Sequence, residues 1–195
     1  MVTEVLFTAL VAAVAIQRLA EVRQSRRHER ALVARGAREH ARWQVPVLAA
    51  LHTGWLVAVV MEVWWGASTF RPWLAITAGV VFVAGQALRL LAMRALGPRW
   101  TIRVMTLPGT PAVAVGIYRY LRHPNYLGVA FEIAALPLVH GAVWTSAIFS
   151  AANAVVLALR IRAEERALAI DSAYQEILGG RPRFVPTTPD RSRLP

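Results

Sequence analysis

Tyr126-Leu-Gly-Val-Ala-Phe-Glu-Ile-Ala-Ala-Leu-Pro-Leu-Val139, then His140, then Gly141-Ala-Val-Trp-Thr-Ser-Ala-Ile-Phe-Ser-Ala-Ala-Asn-Ala-Val-Val-Leu-Ala-Leu159 read as an apolar helical hairpin with a very short connection. Polar clusters bracket it. Tyr118-Arg-Tyr-Leu-Arg-His-Pro-Asn125 stands before the hairpin and Arg160-Ile-Arg-Ala-Glu-Glu165 after it. A hairpin returns both ends to one side of a bilayer, so the two clusters meet at its mouth. An amphiphilic substrate and a polar cofactor can be brought together there, which points to a membrane enzyme.

The composition agrees. Of 195 residues, 56% are hydrophobic and only 17% charged, too apolar for an ordinary soluble domain. The net charge is +11 and every basic residue is arginine. These arginines lie in the gaps between apolar segments, where they suit anionic lipid headgroups rather than nucleic acid. With no cysteine, the chain has no disulfide framework, zinc-thiolate site or thiol nucleophile. The five histidines show no metal-ligand spacing, so no metal is expected.

Three apolar segments precede the hairpin: Val5 to Ile16, Val45 to Trp65 and Pro72 to Leu88. The expected fold is therefore all-α and polytopic, with about five transmembrane helices ending in the C-terminal hairpin. The first segment is short enough that Gln17 and Arg18 are expected to snorkel. The fourth, Tyr126 to Val139, is too short to cross a bilayer upright. Arginines alternate between connections: eight over 18–42, one at Arg71, six over 89–122, none near His140 and seven from Arg160 onward. The positive-inside rule then puts the N-terminus outside and both polar clusters in the cytoplasm. Glu4 before the first apolar run, with arginines only after it, argues for a retained helix rather than a cleaved signal. Ser25 to Arg42 reads as a helical loop resting on headgroups. The chain divides into membrane helices and a basic loop (1–96), a core with the hairpin and cofactor site (97–186) and a flexible tail (187–195), one structural domain overall.

No Gly-x-Gly-x-x-Gly follows a strand, and no Ser or Thr is placed as a nucleophile elbow. What stands out is Gly116-x-Tyr118, Arg122-His-Pro-Asn-Tyr126-x-Gly128, Arg160-x-x-x-Glu164-Glu165-x-x-Leu168, Tyr174 and Arg181-Pro-Arg-Phe-Val-Pro186. This pattern resembles the isoprenylcysteine carboxyl methyltransferase family over residues 97–186. The resemblance implies S-adenosylmethionine as cofactor, Arg160 on the substrate side and Glu164 on the cofactor. It also implies cofactor contacts from His123, Pro124, Asn125 and Tyr126, with Tyr118 and the loop Thr110 to Val113 covering the site.

The residues are physically suited to these roles. Arg160 and Glu164 share a helix face at i,i+4, the spacing of an ordinary surface ion pair as well as of two ligand contacts. Pro124 stops a helix from running through Arg122 and His123 and leaves an extended corner. Glu132 lies one to two turns into the fourth span, and an ionisable group at that depth is a candidate for catalysis, or else a buried partner of Arg89 or Arg94. A carboxylate acceptor needs only orientation by Arg160. A neutral phenol needs a base, for which His123 and Glu132 are the candidates.

Trp100-Thr101, Leu107-Pro-Gly109 and Glu132 six residues past Tyr126 look more like the family's bacterial branch, associated with alkylpyrones and alkylresorcinols, than its prenyl-protein branch. The expected partners are therefore a lipid-like carboxylate or acidic hydroxyl, or a prenylated substrate, together with membrane lipids, at a bacterial inner membrane. The rival readings are an NADPH-dependent sterol-type reductase, which shares the His-Pro corner, and a non-catalytic membrane protein. In those reductases an acidic residue follows the corner glycine, whereas Val129 follows Gly128 here.

Overall fold

The structure is a computed structural model and describes residues 1–66 and 68–184. Among the described residues there are six α-helices and two three-residue strands, with 3-10 turns at Gly97–Arg99 and Gly116–Arg119: α1 (Val2–Val33), β1 (Arg38–His40), α2 (Gln44–Trp64), α3 (Pro72–Leu96), β2 (Val104–Thr106), α4 (Pro124–Leu138), α5 (Val143–Asp171) and α6 (Tyr174–Leu178). The expected tail 187–195 lies outside the described residues.

Among the described residues, α1, α2, α3 (with the turn to Arg99) and α5 are long and apolar enough to cross a membrane. α4, at 15 residues, rises about 22 Å against a hydrocarbon core of about 30 Å. The fold is thus a polytopic helical membrane protein with four full spans and a short fifth helix. Pro124 opens α4, where its missing N–H costs nothing. Gly141 makes the α4–α5 turn at positive φ, and its α-carbon faces Thr69 so closely that a Cβ would lie 2.3 Å from the Thr69 carbonyl oxygen.

The interior is built from spaced apolar stripes: Phe7, Val11 and Val14 of α1 meet Trp55, Val59 and Val63 of α2, with Phe82, Ile133 and Leu136 closing the cluster. Val80, Val83, Ile148 and Val155 on the outer faces stay exposed, as lipid-facing residues do. α3 and α4 pack most tightly, because Gly85 and Gly128 face each other.

Two stretches depart from expectation. Ser25 to Val33 is not a separate headgroup helix; it continues α1, which at 32 residues rises about 48 Å and projects well beyond an apolar core. Arg38–His40 pairs antiparallel with Val104–Thr106. Isolated helix periodicity could not reveal strands whose partner is more than sixty residues away. Nor does Arg18 snorkel outward. It turns inward to Glu21 at 2.7 Å and to Glu132, while Gln17 bonds Gln86 at 2.8 Å.

One end of the bundle gathers the N-terminus of α1, the α2–α3 connection and the hairpin turn, where Glu62 accepts the Trp144 and Thr145 backbone N–H groups at the start of α5. The opposite end gathers β1, β2, the 104–123 connection, the C-terminal half of α5, and α6.

Candidate active site

The second end holds both polar clusters. His123 stands as the N-cap before Pro124 with a non-helical backbone. The Arg122 and His123 backbone N–H groups donate to the carbonyls of Pro182 and Arg183 at 3.0 and 3.3 Å, which lays the segment after α6 along the His-Pro corner. Glu165 fixes the same contact from α5, with Arg183 at 2.6 Å, Arg122 at 3.3 Å and His123 Nε2 at 3.1 Å. His123 stacks on Tyr126 with ring centroids 5.4 Å apart.

Tyr126 joins the two motifs. Its hydroxyl donates to Glu164 Oε2 and accepts from Arg160 Nε at 2.8 Å, so the i,i+4 pair meets through a phenol instead of directly. The Arg160 guanidinium also lies over the Tyr126 ring, 5.5 Å from its centroid, and donates to the Ile102 carbonyl. Arg160 is only 5% exposed, yet its Nη1 has no partner among the described residues. A buried guanidinium N–H in that state is poised to bind an anion or a polar oxygen.

These groups open on a cavity of about 420 Å³, within the range of small-molecule sites. Tyr118, His123, Asn125, Tyr126, Arg160 and Glu164 line it, and Thr110 and Val113 reach it from the loop. Burial, with Glu164 adding to it, pushes the Tyr118 phenol up, and burial pushes Tyr174 up to about 12; both therefore act as neutral hydroxyls. Pro124, the first residue of α4, is not among the residues that line the cavity.

The other candidate for catalysis, Glu132, lies off the cavity wall. Its carboxylate is buried against Arg18 and Arg89, with Arg89 Nη1 at 3.1 Å, and it does not line the cavity. Arg89 in turn reaches Glu21 at 2.5 Å. Four charges neutralise one another inside the bundle, so of the two roles considered for Glu132 the structural one, beside Arg89, matches its surroundings.

The sequence motifs missed the wall contributed by the first half of the chain. Arg18, Glu21, Ser25, Glu29 and Leu32 of α1 and Val45, Leu48, Ala49 and His52 of α2 all line the cavity. Ser25 Oγ, which donates to Glu29 at 2.6 Å, accepts the Ile102 N–H at 2.8 Å, and Arg103 pairs with Glu29 and Glu39. The signal was present: polar residues at 18, 21, 25 and 29 form one stripe at helical spacing, in a segment whose arginines drew attention to headgroups instead.

The sequence profile of the isoprenylcysteine carboxyl methyltransferase family matches residues 75–170. Uncharacterized protein YpbQ of Bacillus subtilis (strain 168) is 34% identical over 164 residues, covering 84% of this chain and 96% of that protein. The chain belongs to this family. An uncharacterized protein of Haemophilus influenzae is 27% identical over 143 residues, covering 73% of this chain and 83% of its own length. The solved structure of the eukaryotic intramembrane Ras methyltransferase of the family superposes with a TM-score of 0.56 at 20% identity, covering 68% of this chain. The chain spans about half of that methyltransferase, 48% of its length, and the likeness is one of fold. The isoprenylcysteine carboxyl methyltransferase family is one of membrane methyltransferases, and its profile match takes in the His-Pro corner and both Arg160 and Glu164.

Proposed function

We propose that the protein is an integral-membrane O-methyltransferase that uses S-adenosylmethionine and acts on a lipid-like carboxylate or acidic hydroxyl. The observation that carries this reading is the Tyr126 hydroxyl, which ties Arg160 and Glu164 together inside one cavity. The cavity has the donor set such a cofactor needs. Glu164 supplies a carboxylate for a cationic centre, and Arg160 Nη1 and Asn125 Oδ1, both on residues of the wall, are a buried donor and acceptor without partners among the described residues. When bound, S-adenosylmethionine supplies a methyl group on a positively charged sulfur.

The chain's own groups then divide the work. Glu164 offsets positive charge in a low-dielectric site. Arg160 orients the acceptor oxygen through Nη1, held in place by Tyr126 and the Ile102 carbonyl. Tyr118, Thr110 and Val113 cover the polar end and keep water out. Apolar side chains of Leu48, Ala49, Val129 and Leu157 also line the cavity and give it a wall suited to a hydrocarbon tail. In this reading the site faces the cytoplasm of a bacterial inner membrane and the N-terminus lies outside, in line with the arginine alternation.

Calorimetric titration of the detergent-solubilised protein tests the reading. Heat is expected with S-adenosylhomocysteine and none with NADPH; heat with NADPH alone sinks the proposal in favour of a reductase. Glu164→Ala is expected to remove the S-adenosylhomocysteine heat, whereas Arg160→Ala keeps it and loses turnover. Equal loss of both properties in the two variants overturns this division of roles.

A further inference from the structure

His52 sits on α2, and the motifs give it no role. Val45, Leu48, Ala49 and His52 lie at i, i+3, i+4 and i+7, so one face of α2 lines the cavity, and His52 is the last residue of that stripe. One turn further along, Trp55 is 1% exposed and stands edge-on to the imidazole, with ring centroids 6.4 Å apart at 85°, which closes the cavity behind it. His52 Nδ1 is 2.9 Å from the Leu48 carbonyl oxygen. A carbonyl can only accept, so Nδ1 carries the proton and Nε2 carries the lone pair. Nε2 has no hydrogen-bond partner among the described residues.

Each of the other basic groups on the wall has a hydrogen-bond partner. His123 Nε2 is taken by Glu165, Glu164 by the Tyr126 hydroxyl, Glu29 by Ser25 and Arg103, and Glu21 by Gln17, Arg18 and Arg89. Of the two bases that the sequence offers for a neutral acceptor, Glu132 is off the wall and His123 is fixed between the Glu165 carboxylate and the Tyr126 ring. His52 and His123 are the two histidines of the cavity, and His52 is the one held by its own helix rather than by a carboxylate. Facing it around the wall are Arg18 and Glu21 of α1, Arg89 of α3, Tyr126 of α4, and Arg160 and Glu164 of α5.

We propose that His52 is the general base of this site and takes the proton of a neutral hydroxyl acceptor. This rests on the methyltransferase reading above and narrows it. A carboxylate is already ionised and would be served by Arg160 alone; a lone pair on the opposite wall does nothing for it. A hydroxyl uses both groups, donating its hydrogen to His52 Nε2 while its oxygen accepts from Arg160 Nη1. As the oxygen–carbon bond to the methyl group forms, the hydroxyl proton passes to Nε2. The carbon–sulfur bond of the sulfonium donor breaks with its electron pair staying on sulfur, and the imidazolium later returns the proton to water.

The test compares wild-type protein with His52→Gln and His52→Asn, using S-adenosylmethionine with pentadecylphenol or hexadecanoic acid, and S-adenosylhomocysteine calorimetry on each. Wild type is expected to methylate the phenol, with a rate that rises as one group deprotonates across the histidine range. Both variants should keep the S-adenosylhomocysteine heat, lose phenol turnover by about 100-fold or more and lose that limb of the pH profile. The nitrogen spectrum of labelled histidine should also give His52 as the Nδ1–H tautomer, shifting when pentadecylphenol is added without any methyl donor. Transfer to hexadecanoic acid alone, or variants that match wild type in rate and pH profile while still binding S-adenosylhomocysteine, overturns the role of His52 only. Wild-type protein that binds no S-adenosylhomocysteine overturns this proposal together with the reading beneath it.

Discussion

At the residue scale, the Tyr126 hydroxyl is the smallest change with the largest expected effect. Among the described residues it is the only atom hydrogen-bonded to both Arg160 and Glu164, and Tyr126 is buried. Tyr126→Phe keeps the ring that carries the His123 stack and the Arg160 cation–π contact but leaves a guanidinium N–H and a carboxylate oxygen without a partner. Each orphaned group costs about 1–3 kcal/mol. Weaker S-adenosylhomocysteine binding and lower turnover should appear together, because the hydroxyl positions both partners. A calorimetric constant equal to that of wild type would show that Glu164 and Arg160 hold their places without it.

At the element scale, the tight α3–α4 crossing explains why a glycine follows the His-Pro corner. A Cβ at Gly128 would lie 2.5 Å from Arg89 Cγ and 2.7 Å from the Gly85 carbonyl oxygen, and one at Gly85 would lie 2.9 Å from the Gly128 carbonyl oxygen. Gly128→Ala should lower stability by about 1–3 kcal/mol, read as a drop in melting temperature in detergent. Gly79→Ala, on α3 with nothing within 4 Å of its Cβ, is the control and should leave the melting temperature unchanged or raise it. An equal drop in both would show that the crossing is not the cause. The sequence made this half of the protein readable. Pro124 fixed where α4 starts, the apolar run to Leu159 fixed the hairpin, and the i,i+4 spacing put Arg160 and Glu164 on one face. It hid the Tyr126 bridge, since a phenol between two charged groups leaves no periodic trace. It also hid β1, whose three residues take their strand partner from a distant segment, and the α2 wall, whose stripe of Val45, Leu48, Ala49 and His52 looks like any lipid-facing helix.

At the scale of the whole molecule, the buried quartet of Arg18, Glu21, Arg89 and Glu132 joins α1, α3 and α4. Removing one member leaves an uncompensated charge in the interior, at a cost of about 3–5 kcal/mol. Glu132→Gln should therefore reduce the folded yield and the melting temperature, while the protein that does fold binds S-adenosylhomocysteine with wild-type affinity. A loss of affinity without a loss of stability would return Glu132 to the site. The absence of cysteine makes the topology directly measurable. Single cysteines placed at Thr3 and Ser68 should react in intact cells with a membrane-impermeant maleimide, and one at Arg99 only after lysis. The reverse pattern would turn the site away from the cytoplasm.

The pairing of Arg38–His40 with Val104–Thr106, clamped where Thr106 donates to Asp171 and lies 2.8 Å from His40, also bears on how the protein is made. A ribosome delivers β1 long before β2, and Asp171 later still. The early helices must therefore wait in the bilayer with their polar stripe uncovered until the last long helix has been threaded. Quality control acting on unfinished chains would meet this protein in that interval. Two separately expressed pieces broken at Gly97 should still find each other, since the wall they share is the surface each lacks alone.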